Sequence, residues 1–192
     1  MRLVKNLCRI IVGIVFIYSG FVKGIDPLGS DYKFTDYFNA FGMGWMNATT
    51  LFFSFALSLV EFLIGIALLF NLWVSRMAWG SLLFMAFFTP LTLVLALTNP
   101  VSDCGCFGDA MILTNWQTFW KNIILLLLAI MIFMYRKEYK SSLPLVGQFS
   151  FLALAGAGML CLSVYCYRHL PVLDFRPYAV GKNITEGMRL PE

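Results

Sequence analysis

The run MAWGSLLFMAFFTPLTLVLAL (Met77–Leu97) contains no charged residue. A helix must present about 20 apolar residues to cross a bilayer core of roughly 30 Å. Met77–Leu97 meets that length, so it predicts a membrane-spanning helix. Four other runs are apolar over a similar length: Leu7–Ile25, Ala48–Trp73, Trp116–Tyr135 and Leu143–Tyr167. We therefore predict an all-α, polytopic membrane protein with five transmembrane helices.

The composition agrees with membrane insertion. The chain is 60% hydrophobic and 12% charged, whereas soluble domains carry roughly 25% charged residues. The lipid bilayer is therefore the expected partner. The net charge of +4 does not indicate nucleic-acid binding, because the basic residues cluster beside the apolar runs. The sequence does not fix an oligomeric state.

The basic residues also predict an orientation. If the N-terminus lies inside, seven basic residues fall on the inner side of the membrane: Arg2, Lys5, Arg9, Arg76, Arg136, Lys137 and Lys140. Opposite them lie Lys33, Lys121 at the start of the fourth span, and Lys23, which can extend from the end of the first span to the interface. Because inner loops are enriched in Lys and Arg, we expect a bacterial inner membrane protein with a cytoplasmic N-terminus. The loop 98–115 and the C-terminus then lie in the periplasm, where disulfides persist.

The first outer segment, DYKFTDYFNAFGMGW (Asp31–Trp45), repeats aromatic residues at helical spacing. This pattern is typical of a helix lying in the membrane interface, which we expect over about 31–46, near the loop 98–115. The predicted organisation is a four-helix bundle that includes this helix and the loop (1–140). A fifth transmembrane helix (141–170) and a polar outer tail (171–192) follow.

One acidic residue lies within a predicted span: Glu61, near the middle of the second span. An ionisable group at that depth costs roughly 2.5–3.5 kcal/mol on insertion scales, so we expect Glu61 to face the bundle interior. Ser54, Ser58 and Gly65 share its helical face. Glu61 is either a protonated carboxyl bonded to a neighbouring helix or a proton-transfer group. Gly20 and Gly24, near the outer end of the first span, predict close helix packing.

The loop SDCGCFGDA (Ser102–Ala110) holds two cysteines, Cys104 and Cys106, one residue apart. They form a redox-active disulfide, half of a metal site, or a tight turn with incidental thiols. A disulfide across one glycine closes a small ring that requires a sharp backbone turn. Strained disulfides are prone to exchange and are oxidising.

Four nearby residues are expected to influence these thiols. Lys121 and the N-terminus of the fourth span, with Asn115 as the predicted N-cap, lower a thiol pKa. Asp103 and Asp109 act in the opposite direction. The sequence therefore does not decide which cysteine attacks.

Two further cysteines, Cys161 and Cys166, lie at the outer end of the fifth span. They point about 140° apart on a helix and cannot pair with each other, but each is a candidate redox relay to the loop. Buried cysteine is also commonly a small hydrophobic residue. A metal site is the alternative: Cys166 and His169 share a helix face and would complete a Cys₃His zinc set with Cys104 and Cys106.

Three segments carry a family resemblance: GIVFIYSGFVKGIDPLG (Gly13–Gly29), VEFLIGIALL (Val60–Leu69) and CGCFGD (Cys104–Asp109). They resemble DoxX-like membrane proteins, and the MauE branch in particular. The resemblance implies a four-helix bundle similar to the cores of DsbB and vitamin K epoxide reductase. It also implies a role in forming disulfides of a periplasmic protein through Cys104 and Cys106, with quinone as the acceptor by analogy. No motif indicates a cofactor directly.

The fifth span and the tail extend beyond this unit, as in DoxX-like proteins of the Bacteroidetes type, in which a periplasmic domain follows. The tail is too short for a domain, and we expect it to be a truncated portion of one. The function that these observations favour is a membrane thiol–disulfide redox protein passing electrons between periplasmic thiols and a membrane acceptor. The alternatives are a non-catalytic membrane subunit that anchors an oxidoreductase, and a Cys/His metal-binding membrane protein. Whether the chain is an enzyme stays open.

Overall fold

The computed structural model describes residues 2–101, 104–141 and 143–175, and these residues form helices and loops without a β-strand. The α-helices are α1 (Arg2–Ile25), α2 (Pro27–Ala40), α3 (Thr50–Leu69), α4 (Val74–Thr98), α5 (Asn115–Met134) and α6 (Leu145–Arg168). Short 3₁₀ helices occupy Gly44–Thr49 and Gly108–Ala110. Five helical segments have the length and apolar character of membrane spans: Leu3–Ile25, Gly44–Leu69, Val74–Thr98, Asn115–Met134 and Leu145–Arg168. The all-α fold with five spans is therefore confirmed.

The ends of two helices differ from expectation. α2 begins at Pro27, because the Asp26 side chain accepts the Gly29 N–H at 3.0 Å as an N-cap and proline suits the first helical position. It ends at Ala40, so a helix over 31–46 is wrong at both boundaries.

The N-cap of α5 is Thr114, not Asn115. Thr114 and Gln117 form a capping box, in which each side chain bonds the other's backbone N–H. The Asn115 side chain instead donates to Asn99 Oδ1 at 2.7 Å and to the Val101 carbonyl at 2.9 Å. It thereby ties the start of α5 to the end of α4, across the loop that holds Cys104 and Cys106.

The bundle is built on the pair α1 and α3, and on α4 packed against α5. Buried apolar side chains of these helices form the core: Val12, Phe16, Ile64, Leu68, Ala78, Met85, Leu125, Ala129 and Ile132. α6 packs against α3, α1 and α2, and makes no contact with α5 among the described residues. The fifth span is therefore an addition to one side of the four-helix unit.

Glycines bring α1 and α3 close together. A Cβ at Gly20 would lie 2.6 Å from the Phe62 nitrogen and 2.7 Å from the Ser58 carbonyl oxygen. A Cβ at Gly65 would lie 2.6 Å from the Ile17 nitrogen. These are backbone atoms, so the helices must separate if a side chain is added. The predicted role of Gly20 in close packing is confirmed.

Gly20→Ala is expected to lower the free energy of unfolding by about 1–3 kcal/mol, as other insertions into tight packing do. The control is Gly158→Ala in α6, where a Cβ meets no atom within 4 Å. It should be neutral or stabilising by up to about 1 kcal/mol, the helix preference of alanine over glycine. Denaturant titration of the full chain in detergent measures both. Equal stabilities of the wild type and Gly20→Ala would contradict the close packing.

Contacts between loops define the two ends of the bundle. The Lys5 ammonium lies 2.7 Å from Glu138, the Tyr139 hydroxyl donates to the Lys5 carbonyl, and Asn71 donates to the Lys140 carbonyl at 2.7 Å. The N-terminus, the α3–α4 loop and the α5–α6 loop thus meet at one end. α2 and the cysteine loop lie at the other.

Candidate functional site

The two cysteines lie on a tight turn. Gly105 between them has φ +62°, and Gly108 just after them has φ +51°, a left-handed conformation that glycine adopts without steric cost. The Cys104 and Cys106 Sγ atoms are 3.0 Å apart, and both thiols are free in this structure. A disulfide needs about 2.05 Å, so two-electron oxidation of this pair requires its sulfur atoms to approach each other by only about 1 Å.

α2 holds the outer side of this turn. The Tyr37 hydroxyl donates to the Cys104 carbonyl oxygen at 2.6 Å. The Lys33 side chain lies against Gly105, with its Cγ 3.1 Å from the position that a Cβ would take there. Sequence reasoning missed Tyr37, because it is one of many aromatic residues in an amphipathic segment and only the fold shows which one reaches the loop.

Three buried polar side chains lie beneath the turn: Ser19 and Lys23 of α1 and Glu61 of α3, here called the buried triad. The Lys23 ammonium contacts both Glu61 carboxylate oxygens, at 2.7 and 2.9 Å, and donates to the Ser19 hydroxyl at 2.8 Å. The Ser19 oxygen is 2.8 Å from Glu61 Oε2 and 2.8 Å from the Cys106 carbonyl oxygen. Since a hydroxyl has one proton, Ser19 donates to one of these two at a time.

The triad bears on two expectations. Glu61 faces the interior as predicted, with 4% of its surface exposed. Its carboxyl contacts the Lys23 ammonium at 2.7 Å, and its role in hydrogen bonding or in proton transfer stays a prediction. Lys23 does not extend to the interface; it is buried and points into the bundle. The charge that the membrane penalises in Glu61 is thus compensated inside the protein.

In the reduced loop, the two thiols differ in pKa. The hydrogen bond between the two thiols is the main cause that lowers the pKa of Cys106, to about 6; burial and the Glu61 carboxylate oppose this, and the Lys121 and Lys23 ammonium groups assist it. The same bond, together with burial, raises the pKa of Cys104. Near neutral pH the reduced loop therefore holds its proton on Cys104 and its charge on Cys106. The expectation that Lys121 lowers a thiol pKa agrees with its position, with Nζ 4.3 Å from the Phe107 ring centre.

A cavity of about 70 Å³ lies next to the loop and the triad. Both cysteines, Lys121 and Asn122 line it together with the triad. Its remaining walls are largely apolar and include Val15, Phe16, Phe34, Leu57, Phe84, Met85, Phe88, Leu91 and Leu125. The arrangement places two thiols, fixed charges and an apolar space within one site.

Other predicted site residues are not brought to this cavity. Asp103 lies outside the described residues. Asp109 is exposed in the 3₁₀ helix after the loop and does not line the cavity. Cys161 is exposed and Cys166 is buried, both on α6, which packs on α3, α1 and α2. Neither lines the cavity, and their relay role stays a prediction.

The alternative zinc set is not assembled. Within the described ranges, no three His, Cys, Asp or Glu side chains come together as a metal-binding group. His169 stacks on Tyr165 with ring centres 4.5 Å apart, and its Nδ1 is 3.0 Å from the Tyr165 carbonyl oxygen. The shared helix face of Cys166 and His169 does not bring them to Cys104 and Cys106, because α6 packs on another part of the bundle.

Comparison with known proteins identifies the family. Searches of curated proteins and of solved structures found no match. The family model described as methylamine utilisation protein MauE matches residues 1–135. The match covers α1 to α5, and with them the cysteine loop, the triad and Lys121; α6 lies outside it. Because it covers more than half of the chain, this protein belongs to the MauE family of multi-pass membrane proteins.

Proposed function

We propose that this protein is a membrane thiol–disulfide redox protein, with Cys104 and Cys106 as its redox pair. The observation that carries the proposal is the contact of their sulfur atoms at 3.0 Å beside a cavity that the buried triad also lines. The lowered pKa of Cys106 adds support, since the thiolate is the reactive form of cysteine.

The reaction transfers two electrons. A substrate dithiol and the Cys104–Cys106 disulfide react to give a substrate disulfide and the loop dithiol. The loop dithiol is then reoxidised by a two-electron, two-proton acceptor from the bilayer, which restores the disulfide. The electrons thus pass from protein thiols at the end of the bundle to an acceptor within the membrane.

The cavity fits such an acceptor by its chemistry. Its walls are largely apolar, which suits a molecule dissolved in lipid, while Asn122 and Lys121 in the lining carry hydrogen-bond donors. A quinone, the acceptor class that the family resemblance implies, carries carbonyl oxygens that accept such bonds. The triad contacts the loop through Ser19, whose oxygen is 2.8 Å from the Cys106 carbonyl oxygen.

The orientation of the chain is part of the proposal. The end with the N-terminus holds most of the basic loop residues, which favours the cytoplasmic side of a bacterial inner membrane. The cysteine loop and the C-terminus then face the periplasm, and the substrate is a periplasmic protein with two thiols.

A single-cysteine variant should trap this substrate. Cells that express the full chain with Cys104→Ser or Cys106→Ser should accumulate a mixed disulfide with a periplasmic protein. The remaining loop thiolate attacks the disulfide of the oxidised substrate and releases one substrate thiolate, and the second loop cysteine that would resolve the adduct is missing. In intact spheroplasts, a membrane-impermeant phosphine reductant should release the partner, because the loop faces outwards. The measurement is a non-reducing gel with mass spectrometry of the partner.

The control is the double variant Cys104→Ser/Cys106→Ser, which should trap nothing. If the double variant formed as much mixed disulfide as the single variants, the reactive thiol would be a cysteine outside the loop. Adducts that resist the reductant until lysis would reverse the orientation. If no adduct forms and the double variant retains the cellular function, the loop is a structural turn and the chain is a membrane anchor.

A further inference from the structure

The backbones of the two cysteines have different neighbours. Cys104 lies under α2, where the Tyr37 hydroxyl binds its carbonyl oxygen at 2.6 Å. The Cys106 carbonyl oxygen is one of the two acceptors of the Ser19 hydroxyl, at 2.8 Å, and Ser19 in turn contacts Lys23. One cysteine is therefore tied to the outer helix and the other to the charged interior of the bundle.

We propose that these surroundings give the two cysteines different tasks: Cys104 is the sulfur that a substrate thiolate attacks, and Cys106 is the sulfur that leaves. This inference rests on the proposed function. In the first step, a substrate–Cys104 disulfide forms and the Cys104–Cys106 bond breaks. The Cys106 sulfur departs with the electron pair as a thiolate, next to the buried triad.

The second step completes the transfer. The second substrate thiolate attacks the substrate sulfur, closes the substrate disulfide and releases Cys104 with an electron pair. Both substrate thiols lose their protons to water before attack, and one proton returns to Cys104. The substrate has lost two electrons, and the loop holds them as a Cys104 thiol and a Cys106 thiolate beside the cavity.

The charges around Cys106 favour this division of tasks. The titratable side chains that line the cavity with the two cysteines are Lys23 of α1, Lys33 and Tyr37 of α2, Glu61 of α3 and Lys121 of α5. Three of these are cations and one is an anion. Lys121 lowers the pKa of both thiols, whereas Lys23 is a cause that lowers the pKa of Cys106 and not of Cys104, so the lining favours a negative charge on the Cys106 sulfur. Exchange is faster when the leaving thiol has the lower pKa, and Cys106 has the lower pKa of the pair.

Lys23 is a positioning residue in this scheme. Its ammonium holds the Ser19 hydroxyl and the Glu61 carboxylate at once, and Ser19 fixes the backbone of Cys106. The cation thus acts on Cys106 in two ways, by its charge and by the geometry of the turn.

Pulse alkylation of the reduced full-length protein in detergent tests the assignment. N-ethylmaleimide at about pH 6.5 should modify Cys106 about tenfold faster than Cys104, because at that pH an ordinary thiol with pKa near 8.5 is almost wholly protonated. Mass spectrometry locates the label. Equal rates, or faster labelling of Cys104, would overturn the assignment.

A charge-removing variant tests Lys23 without leaving a buried charge unpaired. Lys23→Met/Glu61→Gln should shift the midpoint of the Cys106 labelling–pH curve upwards, a readout that a merely structural role would not move. The matched control is Lys5→Met/Glu138→Gln, which removes the Lys–Glu pair at the opposite end of the bundle and should leave the midpoint unchanged. An unchanged midpoint in the Lys23 variant would contradict its role.

The outcomes separate this inference from the proposed function. Alkylation of the reduced protein needs neither substrate nor acceptor. Mixed disulfides in cells together with faster labelling of Cys104 would leave the redox function standing and reject the assignment. Faster labelling of Cys106 without mixed disulfides would reject the redox function.

Discussion

Glu61→Leu is expected to lower the free energy of unfolding by about 3–5 kcal/mol, the usual cost of removing one partner of a buried ion pair. The substitution leaves the Lys23 ammonium, with 9% of its side chain exposed, in the bundle without a counter-charge. It also removes an acceptor from Ser19. The full chain should therefore accumulate poorly and unfold at lower denaturant concentration in detergent.

Two further variants separate charge from packing. Lys23→Met/Glu61→Leu should recover most of the lost stability, because replacing both ions by apolar side chains is often neutral. Glu138→Leu should lower the free energy of unfolding by no more than about 1 kcal/mol, since 61% of the Glu138 side chain is exposed and solvent screens exposed ion pairs. If Glu61→Leu is no more destabilising than Glu138→Leu, the buried pair does not hold α1 to α3.

Glu61→Gln addresses a different question, whether the carboxylate moves protons. Glutamine keeps the shape and can still accept a bond from Lys23, but it cannot ionise. Thiol exchange at the wild-type rate in this variant would exclude proton transfer by Glu61 and leave it a structural role.

The isolated protein is also expected to interconvert between a dithiol and a disulfide at Cys104 and Cys106, and to lose this completely when either is replaced by serine. We expect the disulfide to be oxidising for two physical reasons. A ring closed across the single residue Gly105 is strained, and strained disulfides are more readily reduced. The charges near Cys106 stabilise its thiolate, and stabilising the reduced form raises the reduction potential.

Much of the fold could be predicted from the sequence, because a membrane span is a local property of composition. Met77–Leu97 and the four other apolar runs carry that signal within themselves. The interior position of Glu61 followed from the same reasoning, since a lipid-facing carboxylate is costly. The boundaries of α2 were harder, because Asp26 and Pro27 lie outside the aromatic pattern that suggested the helix.

The partners within the site could not be predicted in the same way. Lys23 and Glu61 are 38 residues apart on different helices, and only the close approach of α1 and α3 at Gly20 joins them. Tyr37 reaches Cys104 across 67 residues. The alternative Cys₃His zinc site was not found for a related reason. Cys166 and His169 share a helix face, but the sequence does not reveal which side of the bundle that helix packs on.

The measurement that tests the central claim most directly is a redox titration of the purified full-length protein. The protein is equilibrated at a series of potentials, quenched with acid and alkylated, and the modified thiols at Cys104 and Cys106 are counted by mass spectrometry. We predict a single two-electron transition from two modified thiols to none, with a midpoint above about −300 mV, the limit below which structural disulfides usually lie. Two thiols that remain modified at every potential, or a midpoint well below that limit, would contradict a redox role for this pair.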